Sequence, residues 1–219
     1  MTPLPLNEQA FEYLKKLITD NTLQPDTIYS ETKLSRELGI SRTPFRDAIH
    51  RLAQEGYIDI IPSKGFCLHK LSVQDVWDTF QLRSALECYC AVEISKAADT
   101  PRAGRLFDEL SHIMERSRQI LDDPSRIDEF LKYDLLFHTM IIDFFENREL
   151  SSTFSAYLYR IKSLADLTLH HAGRIEDAFT EHFQIFQAMK EGDACQSYEQ
   201  MRAHMEKTKQ MSLEALENS

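Results

Sequence analysis

One stretch of this chain alternates in the manner of a β-strand, and nothing after it does. Tyr57-Ile58-Asp59-Ile60-Ile61 ("YIDII") combines alternation with β-branched residues. A turn at Pro62-Ser63-Lys64-Gly65 follows, and then "FCLHK" over residues 66–70. That pattern predicts a two-stranded hairpin. From residue 71 onward strand signals stop, which restricts the chain to a mainly α fold.

Ahead of the hairpin the periodicity is helical. Leu6, Ala10, Leu14, Leu17 and Ile18 recur at the spacing of a first amphipathic helix. Asn21, Pro25 and Asp26 then break the pattern. Ser30 can cap a second helix running to Leu38, with Glu31 at its positive end. Gly39 permits a tight turn, and Ser41 can cap a third helix that carries Pro44 in its first turn, where a missing N–H costs little. Phe45, Ala48, Ile49 and Leu52 form the inner stripe of that helix, and Gly56 ends it. Three short helices followed by a hairpin predict an N-terminal winged helix-turn-helix over residues 1–70.

Residues 71–219 predict an antiparallel six-helix bundle with short connections. Ser72 with Asp75 forms an acidic capping box that opens a helix to about Ala98. Thr100-Pro101 opens a second helix, and Asp123-Pro124 a third that breaks near Asn147. A fourth runs to about His171 before Gly173. A fifth ends near Gly192, where Asp193 can cap the sixth.

Charge divides the chain at the same place. Residues 1–70 hold nine Lys and Arg against nine Asp and Glu, so the whole formal charge of −10 lies in residues 71–219. A net acidic chain is a poor non-specific coat for nucleic acid, and the asymmetry points to two parts with different partners. The four cysteines (Cys67, Cys88, Cys90, Cys195) form no C-x-x-C pair, as in reduced intracellular proteins. No charged-then-apolar leader and no run of roughly 18 apolar residues is present, so the expectation is a cytoplasmic protein with no membrane association.

Arginines gather on one exposed face. With Phe45, Ile49 and Leu52 turned inward, Arg42, Thr43 and Arg46 fall on the outer side of the third helix, on its N-terminal turns. Helix-turn-helix proteins present that end of the second helix of the motif to the major groove. Arginine can donate bidentately to guanine, threonine can reach bases or phosphates, and backbone N–H groups at the helix start can hold phosphate. Lys64 and Gly65 at the hairpin tip let a wing approach the backbone or minor groove. Lone surface arginines usually just pair with nearby acids such as Asp47. Here the cap, turn glycine, proline and hairpin converge on double-stranded DNA.

Polar residues interrupt three apolar stripes of the bundle. One stripe runs Ile127, Leu131, Asp134, His138, Ile141, Phe145. A second runs Ile175, Phe179, His182, Ile185, Phe186, Met189. A third runs Ala194, Tyr198, Met201, His204, Thr208, Met211, Ala215. A buried carboxylate is costly unless paired or bound to a cation, and neutral imidazole is a common ligand for Zn, Ni, Fe and Cu. Each residue alone fits a satisfied core position. Together Asp134, His138, His182 and His204 fit a divalent metal, zinc first, with nickel, manganese or iron as alternatives.

The stretch "YSETKLSRELGISRTPFRDAIHRLAQEGYIDIIPSKGF" resembles the winged helix of the GntR family of bacterial transcription regulators. The resemblance implies DNA contacts from Ser41, Arg42, Thr43, Arg46 and the wing Gly65. One departure is Thr32 followed by Lys33, where the family usually has an arginine after the glutamate of the second helix. "YDLLFHTMIID", "EHFQIFQAMKEGD" and "MRAHMEK" resemble the FCD ligand-binding domain of the FadR branch, in its six-helix form. That likeness implies metal ligands Asp134, His138, His182 and His204, with His170 and His171 as rivals that otherwise suit a helix terminus. It also implies an effector-binding arginine at Arg83, where spacing alone fits an ion pair with Glu87 equally well. Arg160 is a second candidate, equally suited to the surface.

The resemblance implies a regulator, more often a repressor. As a homodimer it would present recognition helices to half-sites about 34 Å apart. A small carboxylate effector would reach the metal with one oxygen and Arg83 with its other end. Two alternatives stand beside this: a regulator for which the metal itself is the signal, and a metal-dependent hydrolase. The hydrolase lacks any recognisable catalytic acid or base beside the ligands.

Overall fold

The computed structural model describes residues 4–20, 22–121 and 123–218, so Asn21 lies outside the described residues. The chain divides into two units, Met1–Leu71 and Ser72–Ser219.

The first unit holds α1 (Leu6–Thr19), α2 (Glu31–Leu38), α3 (Arg42–Gln54), β1 (Ile58–Ile61) and β2 (Gly65–Leu68). The apolar stripes of α1 and α3 meet in its core, where Phe11, Leu14, Phe45, Ile49 and Leu52 are essentially solvent-free. Leu6, expected on the α1 stripe, is half exposed at the first residue of the helix. Gly39 takes the left-handed conformation that closes α2. Ser30 and Ser41 occupy the N-cap positions of α2 and α3, but neither hydroxyl makes a capping hydrogen bond. The hairpin is antiparallel, pairing Ile58 with Leu68 and Ile61 with Gly65. A third segment joins it: Tyr29 N–H donates to the Phe66 carbonyl (2.7 Å), and Phe66 N–H donates to the Tyr29 carbonyl (3.1 Å).

The second unit is helical among the described residues: α4 (Val73–Lys96), α5 (Pro101–Arg118), a short 3-10 turn (Pro124–Arg126), α6 (Ile127–Asp143), α7 (Arg148–Leu169), α8 (Arg174–Lys190) and α9 (Ala194–Glu217). The caps sit where the residue types demand. Ser72 accepts from Asp75 N–H while the Asp75 carboxylate accepts from Ser72 N–H, a complete capping box. Thr100, Asn147 and Asp193 cap α5, α7 and α9 with their side chains. α4 packs most extensively against α9 and also meets α6, α7 and α8, which makes it the central helix. No described helix is long and apolar enough to cross a membrane, and the four cysteines are free thiols.

One stripe is corrected. Tyr198, expected to face inward on α9, is 43% exposed. The inner face of α9 runs instead through Ser197, Met201, His204, Met205, Thr208 and Ser212. Ser197 is fully buried, and its hydroxyl returns a hydrogen bond to the Asp193 carbonyl, so a small residue occupies the place given to tyrosine.

Candidate functional site

The N-terminal unit carries a concave cleft of about 270 Å³ walled by the starts of α2 and α3 and by the wing, with Arg42, Arg46, Lys64 and Thr32 among its lining residues. Ser41, Arg42, Thr43 and Arg46 are exposed. Neither Arg42 nor Arg46 makes an ion pair among the described residues, so Asp47 does not neutralise them. The orientation follows from helix geometry: Phe45, Ala48, Ile49 and Leu52 take the buried face, which leaves residues 42, 43 and 46 outside. Lys64 lies exposed at the wing tip. Gly65 has φ +135°, and a Cβ there would stand 2.0 Å from the Tyr29 carbonyl oxygen, so internal packing alone already requires glycine. Thr32, standing where an arginine was expected, faces the same cleft with a shorter, uncharged side chain.

In the helical unit, α6, α8 and α9 bring His138, His182 and His204 together. One ring nitrogen of each lies within 4.8 Å of the others, and all three side chains are buried. His138 Nε2 and His182 Nε2 are 3.2 Å apart, and Asp134 Oδ1 lies 3.5 Å from His182 Nε2. Two nitrogens each bound at about 2.0–2.1 Å to one tetrahedral ion stand roughly 3.3 Å apart. The His138–His182 spacing meets that distance, and the donor types of the cluster suit a divalent metal. His170 and His171 are elsewhere: His170 is an exposed helix terminus near Asp166 (3.5 Å), and His171 Nδ1 meets the Thr168 carbonyl (3.0 Å).

Two carboxylates back the cluster. His138 Nδ1 lies 2.5 Å from Glu87 Oε2, at an angle outside that of a regular hydrogen bond. Glu87 Oε1 accepts from Arg83 Nε (2.7 Å). His204 Nδ1 meets Glu181 Oε2 at 2.6 Å, and Arg174 donates to both Glu181 oxygens at 2.8 and 3.0 Å. Burial would raise both glutamates, yet the arginines and the histidine N–H groups facing them outweigh it. Arg83 and His138 hold Glu87 at about 2, and His204 with Arg174 holds Glu181 at about 2. Burial, then the neighbouring histidines, pushes His182 well below 6.5, and burial lowers His204 against the pull of Glu181. Low basicity keeps these rings neutral, the form a metal needs.

The expected effector residues sit less simply. Arg83 is buried on α4 and makes the Glu87 ion pair that its spacing allowed, while its NH2 nitrogen is buried without a hydrogen-bond partner. Arg160 lies over Tyr157 with its Nε 3.5 Å from Asp75 Oδ1. Glu181 and Arg174 were missed. The signal was present in their spacing: seven residues, two helical turns, put them on one side of α8.

The family described as "Bacterial regulatory proteins, gntR family" matches residues 6–68, and the FCD domain matches residues 78–207. The HTH-type transcriptional regulator YdhC of Bacillus subtilis (strain 168) is 26% identical over 202 residues, covering 92% of this chain and 88% of that protein. The HTH-type transcriptional repressor RspR of Escherichia coli (strain K12) is 24% identical, covering 92% and 86%. The solved structure of E. coli McbR/YncC shares the fold with TM-score 0.72 at 17% identity, covering 97% of this chain and 99% of that one. With a wing and recognition helix ahead of a helical bundle, and both family domains matched in that order, the chain belongs to the GntR family of bacterial regulators in the branch that carries an FCD domain, and it is a DNA-binding transcription regulator rather than an enzyme.

Proposed function

We propose that this regulator is a cytoplasmic homodimeric repressor whose operator affinity is set by a small carboxylate metabolite bound at a divalent-metal site in the helical bundle. Residues 1–70 read DNA and residues 71–219 bind metal and effector. The observation that carries the proposal is the convergence of three buried imidazoles, with ring nitrogens within 4.8 Å of one another and Asp134 Oδ1 3.5 Å from His182 Nε2, one Glu87 away from a buried guanidinium with an unpartnered nitrogen. Asp134, His138, His182 and His204 would hold the ion, most plainly zinc, which supplies a Lewis-acid anchor for one carboxylate oxygen.

Arg83 NH2 supplies the second anchor. It is a buried cationic donor, costly to leave unsatisfied, and a ligand carboxylate or hydroxyl repays that cost. Arg160, carried on α7 against α4, supplies a further cation. In the N-terminal unit Arg42, Thr43 and Arg46 read base edges, while Ser41, Lys64 and Gly65 meet the sugar-phosphate backbone. A ligand that prefers the geometry unable to engage two half-sites lowers operator affinity by its differential affinity for the two states. Repression as the direction is supported by a relative named a repressor.

Native mass spectrometry of protein purified from its host reports oligomer, metal and retained acid together. Operator fragments enriched from genomic DNA then serve in fluorescence anisotropy. The expected result is a dimer carrying one ion per chain, whose operator affinity falls when the retained acid is added to the loaded protein. Affinity that follows metal alone supports the metal-responsive reading instead. A metal-free monomer indifferent to both refutes the proposal.

A further inference from the structure

Two of the three clustered histidines share an arrangement that the third lacks. In each, the Nδ1 edge faces a glutamate, and that glutamate is held by an arginine that can only donate. For His138 the chain is Arg83–Glu87–His138, with Glu87 fully buried. For His204 it is Arg174–Glu181–His204, with Lys207 Nζ also 3.0 Å from Glu181 Oε1 and Thr208 receiving the other bond of Arg174 NH2 (2.9 Å). His182 is held differently, by its ring stacked on Phe137 at 4.5 Å and 14°. We propose that Glu87 and Glu181 are positioning residues that fix His138 and His204 as Nδ1–H tautomers, so that both present an Nε2 lone pair to the same point.

The physical argument is one of donors and acceptors. An ionised carboxylate only accepts, so the ring nitrogen facing it must carry the proton and the opposite nitrogen must carry the lone pair. A carboxylate behind a ligating imidazole also fixes the ring's orientation and raises its basicity as a ligand. The arginines make the arrangement one-way. Arg83 Nε–H requires an acceptor, so in a Glu87→Gln variant the amide oxygen stays with Arg83 and the amide NH2 turns to His138. His138 Nδ1 then becomes the acceptor, and the proton moves to Nε2, the nitrogen meant for the ion. At Glu181 two cationic donors, Arg174 NH1 and Lys207 Nζ, meet Oε1, against Arg174 NH2 alone on the Oε2 that faces His204, so the oxygen of a glutamine takes the Oε1 side and its NH2 faces His204.

This inference rests on the metal reading above, and the test separates their failures. Zn²⁺ affinity is measured by competition with a chromophoric chelator for the full-length protein, for Glu87→Gln and for Glu181→Gln. Histidine tautomers are read by ¹⁵N NMR in the metal-free state. The expected result is Zn²⁺ binding weakened roughly 10–100-fold in each variant. In Glu87→Gln His138 should move to the Nε2–H tautomer, with His182 free to answer across the 3.2 Å Nε2–Nε2 contact, while His204 keeps its tautomer; in Glu181→Gln His204 should move while His138 keeps its tautomer. Should Glu87→Gln unfold because Arg83 is left buried and uncompensated, the double variant Arg83→Met/Glu87→Gln removes that charge. Its amide is free to turn its oxygen to His138, so the Nδ1–H tautomer and most of the Zn²⁺ affinity return. Variants that bind Zn²⁺ as the parent does, or keep both tautomers, overturn the positioning role and leave the metal site standing. A parent protein that takes up no Zn²⁺ overturns both.

Discussion

Replacing Gly65 by alanine separates a packing role from a DNA-contact role at the wing. A Cβ at this position would lie 2.0 Å from the Tyr29 carbonyl oxygen and 3.0 Å from its carbon, both backbone atoms that no rotamer can move aside. Relief requires the Tyr29 segment to leave the hairpin. That movement breaks the paired bonds Tyr29 N–H to Phe66 O and Phe66 N–H to Tyr29 O, each worth about 0.5–1.5 kcal/mol. The backbone at φ +135° adds about 1–3 kcal/mol for any residue with a side chain. The expected loss is therefore about 2–6 kcal/mol, against the roughly 4–10 kcal/mol that a unit of this size carries. Even the low end lowers the melting temperature of such a domain by roughly 8–16 °C. Differential scanning calorimetry measures it directly, and amide hydrogen exchange locates it, with protection lost first at Tyr29 and Phe66. An alanine variant that melts with the parent, whatever its affinity for DNA, refutes the reasoning.

Two further predictions follow from the helical unit. Ser72→Ala removes the hydroxyl half of the α4 capping box and should cost about 0.5–2 kcal/mol in urea unfolding with an unchanged m-value; no loss would mean that Asp75 alone satisfies the helix start. In metal-free protein, His182 and His204 bind protons less readily folded than unfolded, so stability falls as pH drops below 6.5, by about 1.4 kcal/mol per pH unit for each ring that stays neutral. Glu87 and Glu181, at about 2 against an ordinary 4.5, act in the same direction lower down: their contribution is present above about 4.5 and is lost as pH falls towards 2. Urea midpoints at pH 8, 6 and 4.5 should decline in order, and a flat series from pH 8 to 5 would contradict the buried-neutral histidines.

Much of this architecture was legible before any coordinates. Side-chain caps announce themselves: Ser72 with Asp75, Thr100 before Pro101, and Asp193 each mark a helix start that the structure places within a residue, while Asn147, read as a helix break, also caps α7. Three stripes with a histidine each gave the cluster, because a residue's position on its helix fixes the face it shares with its neighbours. Less legible were features that depend on what lies opposite. Glu181 follows from no stripe of its own: its seven-residue spacing to Arg174 on α8 was visible, but it becomes relevant only because His204 approaches it from α9. Arg83 shows the same limit: its spacing to Glu87 was visible, but not that Glu87 would reach His138. Tyr198 was assigned inward by its spacing on the α9 stripe, whereas the buried position is taken by Ser197, one residue earlier. Ser30 and Ser41 look like caps and hold cap positions without the bonds, which leaves the Ser41 hydroxyl free at the start of the recognition helix.

Under the proposed function, DNA is read through Arg42 and Arg46 at the start of α3, both exposed and neither in an ion pair among the described residues. The most direct test is the operator affinity of the double variant Arg42→Ala/Arg46→Ala, measured by fluorescence anisotropy against the parent at matched salt, with Zn²⁺ uptake as the control for an intact bundle. Each lost base contact costs about 1–3 kcal/mol, so affinity should fall at least roughly thirtyfold while Zn²⁺ uptake is unchanged. Operator binding within about threefold of the parent would contradict the claim.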